Sequence, residues 1–331
     1  MKTLFLSCHA ILEYDELKIL EELGVDYFSL GSYIIPQKPV DPIRPPLKKE
    51  VDEELLRTAP YRESIPKSFV DNFDTIIVMH VPEWIEANWE VFKGKRVIWR
   101  TIGQSHEKIE ARMYKYRLEG LEVVRYSGRE ANIKGNIGSD AVIPFYKDEN
   151  EFNGYLGTSK EIITIAQNMK HRAEYCNYDA FVSLAEQMPV RLYGTSNEAS
   201  GPLWGGFLSY NDMKMKLRDA RAYIYTGTQP ACYTLSFIEA MMTGIPVIAL
   251  GPTHCNSLDI AGDMYEVPDI IKNAVNGFVS DDMDYLRRVM RELLGDQRTA
   301  QRIGEMGRQT AIKWFGKTTV KEKWRKYLQI T

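Results

Sequence analysis

The chain has 331 residues, 44% of them hydrophobic and 26% charged, with a net charge of −3. This is the composition of a globular protein too long for one ordinary domain, and its longest apolar runs are strand-sized, which excludes a membrane-spanning helix. Cys8, Cys176, Cys232 and Cys255 lie far apart without a Cys-x-x-Cys pair, and the five histidines lack ligand spacing, so a reducing, cytoplasmic setting without a metal site is expected.

The opening "TLFLS" reads as a first strand. Ser7, Cys8 and His9 interrupt its apolar run and acids follow at once, unlike a signal peptide. A helix is expected over "EYDELKILEELG", where Leu17, Leu20 and Leu23 recur at helical spacing. "DYFSLG", "TIIVMH", "RVIWRTI", "LEVVRYS" and "DAVIPF" are further strands, with "EKIEARMYKYRLEG" a helix between two of them. The segment "PQKPVDPIRPP" (36–46) holds five prolines and is expected to be an extended loop. From residue 160 the alternation restarts. "EIITIAQ", "VRLYGT", "GGFLS", "AYIYTG", "PVIALG" and "NGFVS" read as strands, with helices such as "MKMKLRDAR" and "YLRRVMRELLGD" between them. Alternating β and α with apolar strands predicts an α/β doubly wound sheet, built twice. The join lies in the polar, Gly-containing "VIPFYKDENEFNGYLGTSKE".

One stretch carries chemistry. In "SFIEAMMTGIPVIALG" Gly244 stops a helix, Pro246 forbids its resumption, and an apolar strand follows. Glu239 lies about a turn into that helix, which begins near Thr234, Leu235 and Ser236 after the strand "AYIYTG". Such a strand-to-helix step sits at the carboxyl edge of the sheet, where ligands bind, and the helix N-terminus suits phosphates. A carboxylate there can accept from the vicinal hydroxyls of a ribose; the plain alternative is an acid favoured by the helix dipole.

The wider pattern resembles the GT-B glycosyltransferases of the "glycosyl transferases group 1" family, which are retaining and nucleotide-sugar-dependent. "FIEAMMTGIPVIA" matches their Glu-Ala dipeptide, Gly-x-Pro turn and strand, and "YEVPDIIKNAVNGFVSDDMDYLRRVMRELLGDQRTAQRIGEMGRQTAIKWF" follows their usual tail. "AVIPFYKDENEF" resembles their interdomain connection. The likeness covers roughly residues 120–330 well. It implies two Rossmann-like domains facing across a cleft: 1–146 for the acceptor, 147–312 for the donor, and 313–331 a C-terminal helix placed to pack back on the first. It further implies that Glu239 contacts the donor ribose and that Thr234, Leu235 and Ser236 receive the diphosphate. Lys170 and Arg172 in "AQNMKHRAEY" would neutralise the leaving diphosphate, and Gly194 would form a tight loop beside the nucleotide; for these three a solvated loop or simple turn is the alternative. The family's second glutamate, eight positions before the first, is Ala231 here, so no carboxylate faces the transferred sugar. The implied activity is transfer from a nucleotide-sugar, a UDP-sugar first, to an acceptor hydroxyl without a metal. A nucleotide-sugar epimerase and an inactive nucleotide-sugar-binding protein are the alternatives.

In the first half, His9, His80 and the pair Arg100–Thr101 follow predicted strands. The resemblance makes His80 the catalytic candidate, through hydrogen bonding or proton transfer, and His9, Arg100 and Thr101 acceptor-side candidates. Glu13 and Asp15 stand where the family has a Gly-rich first loop. Between Lys93 and Lys134 eleven Lys/Arg face five Glu, and Lys108, Arg112 and Lys115 share one helix face. That face suits a polyanionic acceptor such as nucleic acid, hydroxymethylated phage DNA included, or an acidic lipid surface; the alternative is a solvated face paired with Glu107 and Glu110. Trp84 and Trp89 either stack on a sugar or base or pack in the core.

Overall fold

Near-continuous apolar runs become parallel strands buried on both faces, as a sheet covered by helices requires. The computed structural model describes residues 1–32 and 52–330, so the proline-rich segment 36–46 lies outside the described residues. The chain divides into two compact units, Met1–Tyr146 with Thr318–Thr331, and Lys147–Lys317.

In unit 1, strands β1 (Lys2–Leu6), β2 (Asp26–Ser29), β3 (Thr75–Met79), β4 (Arg96–Arg100), β5 (Glu122–Arg125) and β6 (Ala141–Val142) pair in the order β2-β1-β3-β4-β5-β6, all parallel. Ile76, Ile77, Val78 and Met79 are fully buried. The order reverses between β1 and β3, so the loops after these two strands form the switch point. The helix Pro82–Phe92, not among the sequence expectations, starts on its proline and buries Trp84, Ile85, Trp89 and Phe92 against the sheet side of the unit. Both tryptophans therefore pack, with their indole N–H groups donating to Glu63 (3.1 Å) and Glu119 (2.7 Å). The strand expected over "DAVIPF" is cut to β6, because Pro144 offers no N–H to a ladder.

In unit 2, β7 (Ile162–Ile165), β8 (Val190–Tyr193), β9 (Trp204–Gly206), β10 (Ala222–Tyr225), β11 (Val247–Leu250) and β12 (Phe278–Ser280) pair in the order β12-β11-β10-β7-β8-β9, again all parallel. Here the reversal falls between β7 and β10. The strand expected over "GGFLS" lies earlier, at Trp204–Gly206, and leaves Phe207 exposed. The helix Met283–Gly295 is capped by Asp282, which accepts from the N–H groups of Asp284 (2.9 Å) and Tyr285 (3.0 Å). Its Leu286, Val289, Met290 and Leu293 form the buried stripe. The C-terminal region is two helices, Gln297–Phe315 and Lys317–Leu328, broken at Gly316, rather than one starting at 313. Among the described residues no helix is long and apolar enough to cross a membrane.

Candidate functional site

The helix Leu235–Thr243 springs from the loop after β10, at the unit 2 switch point. Thr234 stands at its N-cap in extended conformation but makes no side-chain cap; its hydroxyl lies 3.0 Å from that of Ser236. Thr234, Leu235 and Ser236 are half-buried, and no N-cap side chain occupies the first-turn N–H groups, the groups that suit an anion at a helix N-terminus. The helix ends at Gly244 in left-handed conformation. Its small residues answer to the helix Gln297–Phe315: a side chain at Gly304 would overlap the Gly244 carbonyl, so only glycine lets the two backbones approach.

Glu239 is buried within this helix, and its Oε1 lies 2.7 Å from the Lys147 ammonium, itself fully buried. Gly194, after β8, has φ +131°, and a side chain there would overlap the Ala166 carbonyl beyond β7. Only glycine lets these two strand ends close together beside the switch point. Lys170 and Arg172 lie on the loop after β7 and are exposed; Lys170 donates to the Ala199 carbonyl (2.6 Å) and Arg172 to that of Gln167 (2.7 Å). Both cations thus stand at the same sheet edge as the helix N-terminus, held by surface carbonyls and, for Lys170, by the Tyr178 ring at 5.9 Å. Ala231 sits half-buried in the loop before the helix. Gln229 fastens that loop by donating to Ser257 Oγ (2.9 Å) and accepting from Leu258 N (2.8 Å).

In unit 1 the switch point gathers Ser7, Cys8 and His9 after β1 and His80 after β3. The Ser7 hydroxyl approaches Met79 Sδ at 3.8 Å, and Arg62 donates to the Ser7 carbonyl while stacking 4.6 Å from the Trp84 ring. His80 has φ +59°, a strained conformation for a non-glycine residue. Its N–H donates to the Arg100 carbonyl (2.9 Å) and its carbonyl accepts from Trp99 Nε1 (2.8 Å), which hold that strain in place. Burial pushes the His80 imidazole down to about 4, and its buried Nδ1 has no hydrogen-bond partner among the described residues. The ring is therefore neutral at neutral pH. His9 has another use: its Nδ1 caps the helix Ala10–Glu22, accepting from Leu12 N at 3.4 Å.

Three acceptor-side expectations change. Arg100 is fully buried, its guanidinium bound to Glu16 Oε1 (2.7 Å) and to the Ile143 carbonyl (2.7 Å), so it organises the core of unit 1 rather than a surface. Thr101 is likewise buried and donates to Glu130 Oε2 (2.7 Å). Arg112 lies on the helix Glu107–Leu118 with Lys108 and Lys115, but Glu83 and Glu86 hold its guanidinium, both at 2.7 Å. Lys108 and Lys115 remain exposed. Arg125, counted in the basic stretch, is buried against Glu110 at 2.7 Å. Glu13 and Asp15 are buried too, and Glu13 accepts from Ser29 Oγ (2.7 Å) and Ser32 N (2.9 Å).

No family model and no curated protein matches the sequence significantly. Solved structures do match. A sucrose-phosphate synthase from Thermosynechococcus elongatus aligns with a TM-score of 0.70 over 99% of this chain and 98% of that one, at 14% identity. A glycosyltransferase from Rickettsia africae aligns at 0.68 over 100% and 99%, also at 14% identity. HepE from Anabaena, solved in complex with UDP-glucose, aligns at 0.62 over 99% of each chain, at 13% identity. The chain has the GT-B fold. Its two units, each a six-stranded parallel sheet flanked by helices, match the two Rossmann-like domains of that fold. The residues that sequence reasoning overlooked are Lys147, read as part of a polar connection, and Arg62. A basic residue beside the aromatic Tyr146 was the available signal for the first. The second had none.

Proposed function

We propose that the chain is a glycosyltransferase that moves a sugar from a nucleotide-sugar, a UDP-sugar first among donors, to an acceptor hydroxyl. The observation that carries this reading is the open N-terminus of the Leu235–Thr243 helix at the switch point of unit 2, with the Glu239 carboxylate a turn further in. The N–H groups receive the diphosphate, and Glu239 accepts from the ribose hydroxyls. HepE's complexes with UDP and UDP-glucose support the donor class. In the reaction the anomeric C–O bond to the β-phosphate breaks and a new C–O bond to the acceptor oxygen forms. With retention, the hydroxyl proton passes to the departing phosphate oxygen, a route that needs no carboxylate at Ala231. Lys170 and Arg172 stabilise the charge that gathers on the leaving diphosphate.

Unit 1 takes the acceptor, with the neutral His80 ring as hydrogen-bonding partner to its hydroxyl. A polyanionic acceptor belongs to the same reading and rests on Lys108 and Lys115. Ala231 favours a second reading, a nucleotide-sugar-binding protein without transfer activity. A thermal-shift screen of nucleoside diphosphates and nucleotide-sugars, followed by nucleotide release with and without acceptor, tests both. Stabilisation by UDP-sugars with acceptor-dependent UDP release supports transfer. Stabilisation without release under any acceptor supports the second reading, and no stabilisation by any nucleotide ends both.

A further inference from the structure

Lys147 is the first residue of unit 2, and its side chain has no solvent exposure. A lysine is almost never fully buried without a counter-charge. The counter-charge here is Glu239: Nζ lies 2.7 Å from Oε1. The backbone around Lys147 is fixed from the other side. Its N–H donates to the Phe315 carbonyl (3.0 Å), Lys317 N donates to Glu149 Oε2 (3.1 Å), and Arg308 donates to the Glu149 carbonyl (2.7 Å) and to those of Phe152 and Met242. Met242 belongs to the same helix as Glu239. Arg308 thus ties the Lys147–Phe152 segment to that helix directly, and the Phe152 ring lies 5.6 Å from the Lys147 ammonium.

The consequence concerns the carboxylate. Lys147 engages one oxygen of Glu239, while among the described residues Oε2 has no protein donor. A buried carboxylate with one oxygen held and one free presents a single acceptor in a fixed direction, which is how a neighbouring charge turns a flexible side chain into a pre-set one. We propose that Lys147 is a positioning residue for the donor: it orients Glu239 so that Oε2 accepts from the ribose 2′- and 3′-hydroxyls. This rests on the nucleotide-sugar reading of the site. It assigns part of the donor's recognition to the residue where the chain enters unit 2, through a side chain that touches no ligand.

The test compares UDP with 2′,3′-dideoxyuridine diphosphate by titration calorimetry in wild type, Glu239→Gln and Lys147→Met. The ratio of the two dissociation constants reports ribose recognition and cancels any loss of folded protein. Wild type should prefer UDP by roughly tenfold or more, the worth of charge-assisted hydrogen bonds. The ratio should fall toward one in Glu239→Gln and equally in Lys147→Met, while Lys147→Arg, which keeps the charge, restores part of it. Lys147→Gln replaces Lys147→Met should the latter lose its cooperative melt. A wild-type ratio preserved in the Lys147 variants overturns the inference alone. Wild-type protein that binds neither nucleotide overturns the nucleotide reading, and this inference with it.

Discussion

Arg112 grips Glu86 with two charge-assisted hydrogen bonds, Nε to Oε1 at 3.0 Å and Nη2 to Oε2 at 2.7 Å, across two helices of unit 1. The carboxylates of Glu83 and Glu86 hold its pKa up, so it stays a cation already answered by acids. If the acceptor is a polyanion, Lys108→Ala with Lys115→Ala should flatten the slope of log K against log salt by up to about 1.8, at about 0.9 per duplex phosphate. Adding Arg112→Ala should change the slope little. Acceptor KM across a salt series checks this, and flat lines for all three proteins remove polyanions as the acceptor class.

Glu239→Gln should do two things at once. Donor affinity should weaken by about 1.5–3 kcal/mol through the lost charge-assisted bonds. The melting point should also fall, because a buried ammonium left without its counter-charge costs about 3–5 kcal/mol. Calorimetry with UDP and a thermal melt separate the effects. Unchanged UDP affinity with a lower melting point would mean that the carboxylate serves Lys147 alone.

Lys170 and Arg172 should matter to turnover rather than to stability. Both are exposed and their hydrogen bonds go to backbone carbonyls, so Lys170→Met with Arg172→Met should leave the unfolding free energy within about 0.5 kcal/mol of wild type. With the leaving charge unanswered, kcat should fall about a hundredfold while donor KM moves far less. Steady-state kinetics with saturating acceptor give the split, and unaltered kcat would place the diphosphate away from this loop.

Glu130 gives unit 1 a pH dependence. Burial pushes its carboxyl up to about 7 from an ordinary 4.5, against the pull of Arg125, Thr101, the Tyr126 N–H and Arg100. Between those values the folded chain binds a proton that the unfolded chain has released, so stability falls as pH rises. The contribution is full below about 4.5 and lost by about 7, at most about 3 kcal/mol. Glu16 is also raised, by burial and the neighbouring Asp15, against Arg100, and adds in the same direction, whereas Glu110 is lowered, by Arg125 and Ser105 against its burial, and opposes it. The difference between wild type and Glu130→Gln therefore isolates the effect. Melting points of the variant should decline less from pH 5 to pH 8, and parallel curves would reject this assignment.

Most strands of both sheets were legible in the sequence, the edge strands β6 and β9 excepted, because parallel strands buried on two faces leave unbroken runs such as "TIIVM" and "VIAL", bounded by turn residues. The helix carrying Glu239 was legible for a related reason, since Gly244 and Pro246 fix its end. The charges were not. Arg100 reads as a strand-end cation, yet its acid is Glu16, 84 residues away in sequence, on another element. Arg125, on β5, and Arg112 likewise have partners on other elements. A local count of positive charge therefore overstated what unit 1 offers to a ligand. Lys147 was hidden the same way in reverse: it stood within a polar stretch read as the join between domains, while its buried partner Glu239 lies far along the chain on the helix Leu235–Thr243.

The break at Gly316 has a consequence for synthesis. The helix Lys317–Leu328 belongs almost wholly to unit 1, where Trp324 is buried with its ring 5.6 Å from the Arg100 guanidinium. Unit 2 is one continuous stretch and can fold as it leaves the ribosome. All the strands of unit 1 are made before unit 2, but Trp324 reaches it only after all of unit 2 is translated, roughly ten to thirty seconds later at ordinary elongation rates. In that interval Arg100 and Glu16 lack the indole that closes over them, and unit 1 is completed after unit 2 although most of it is made before.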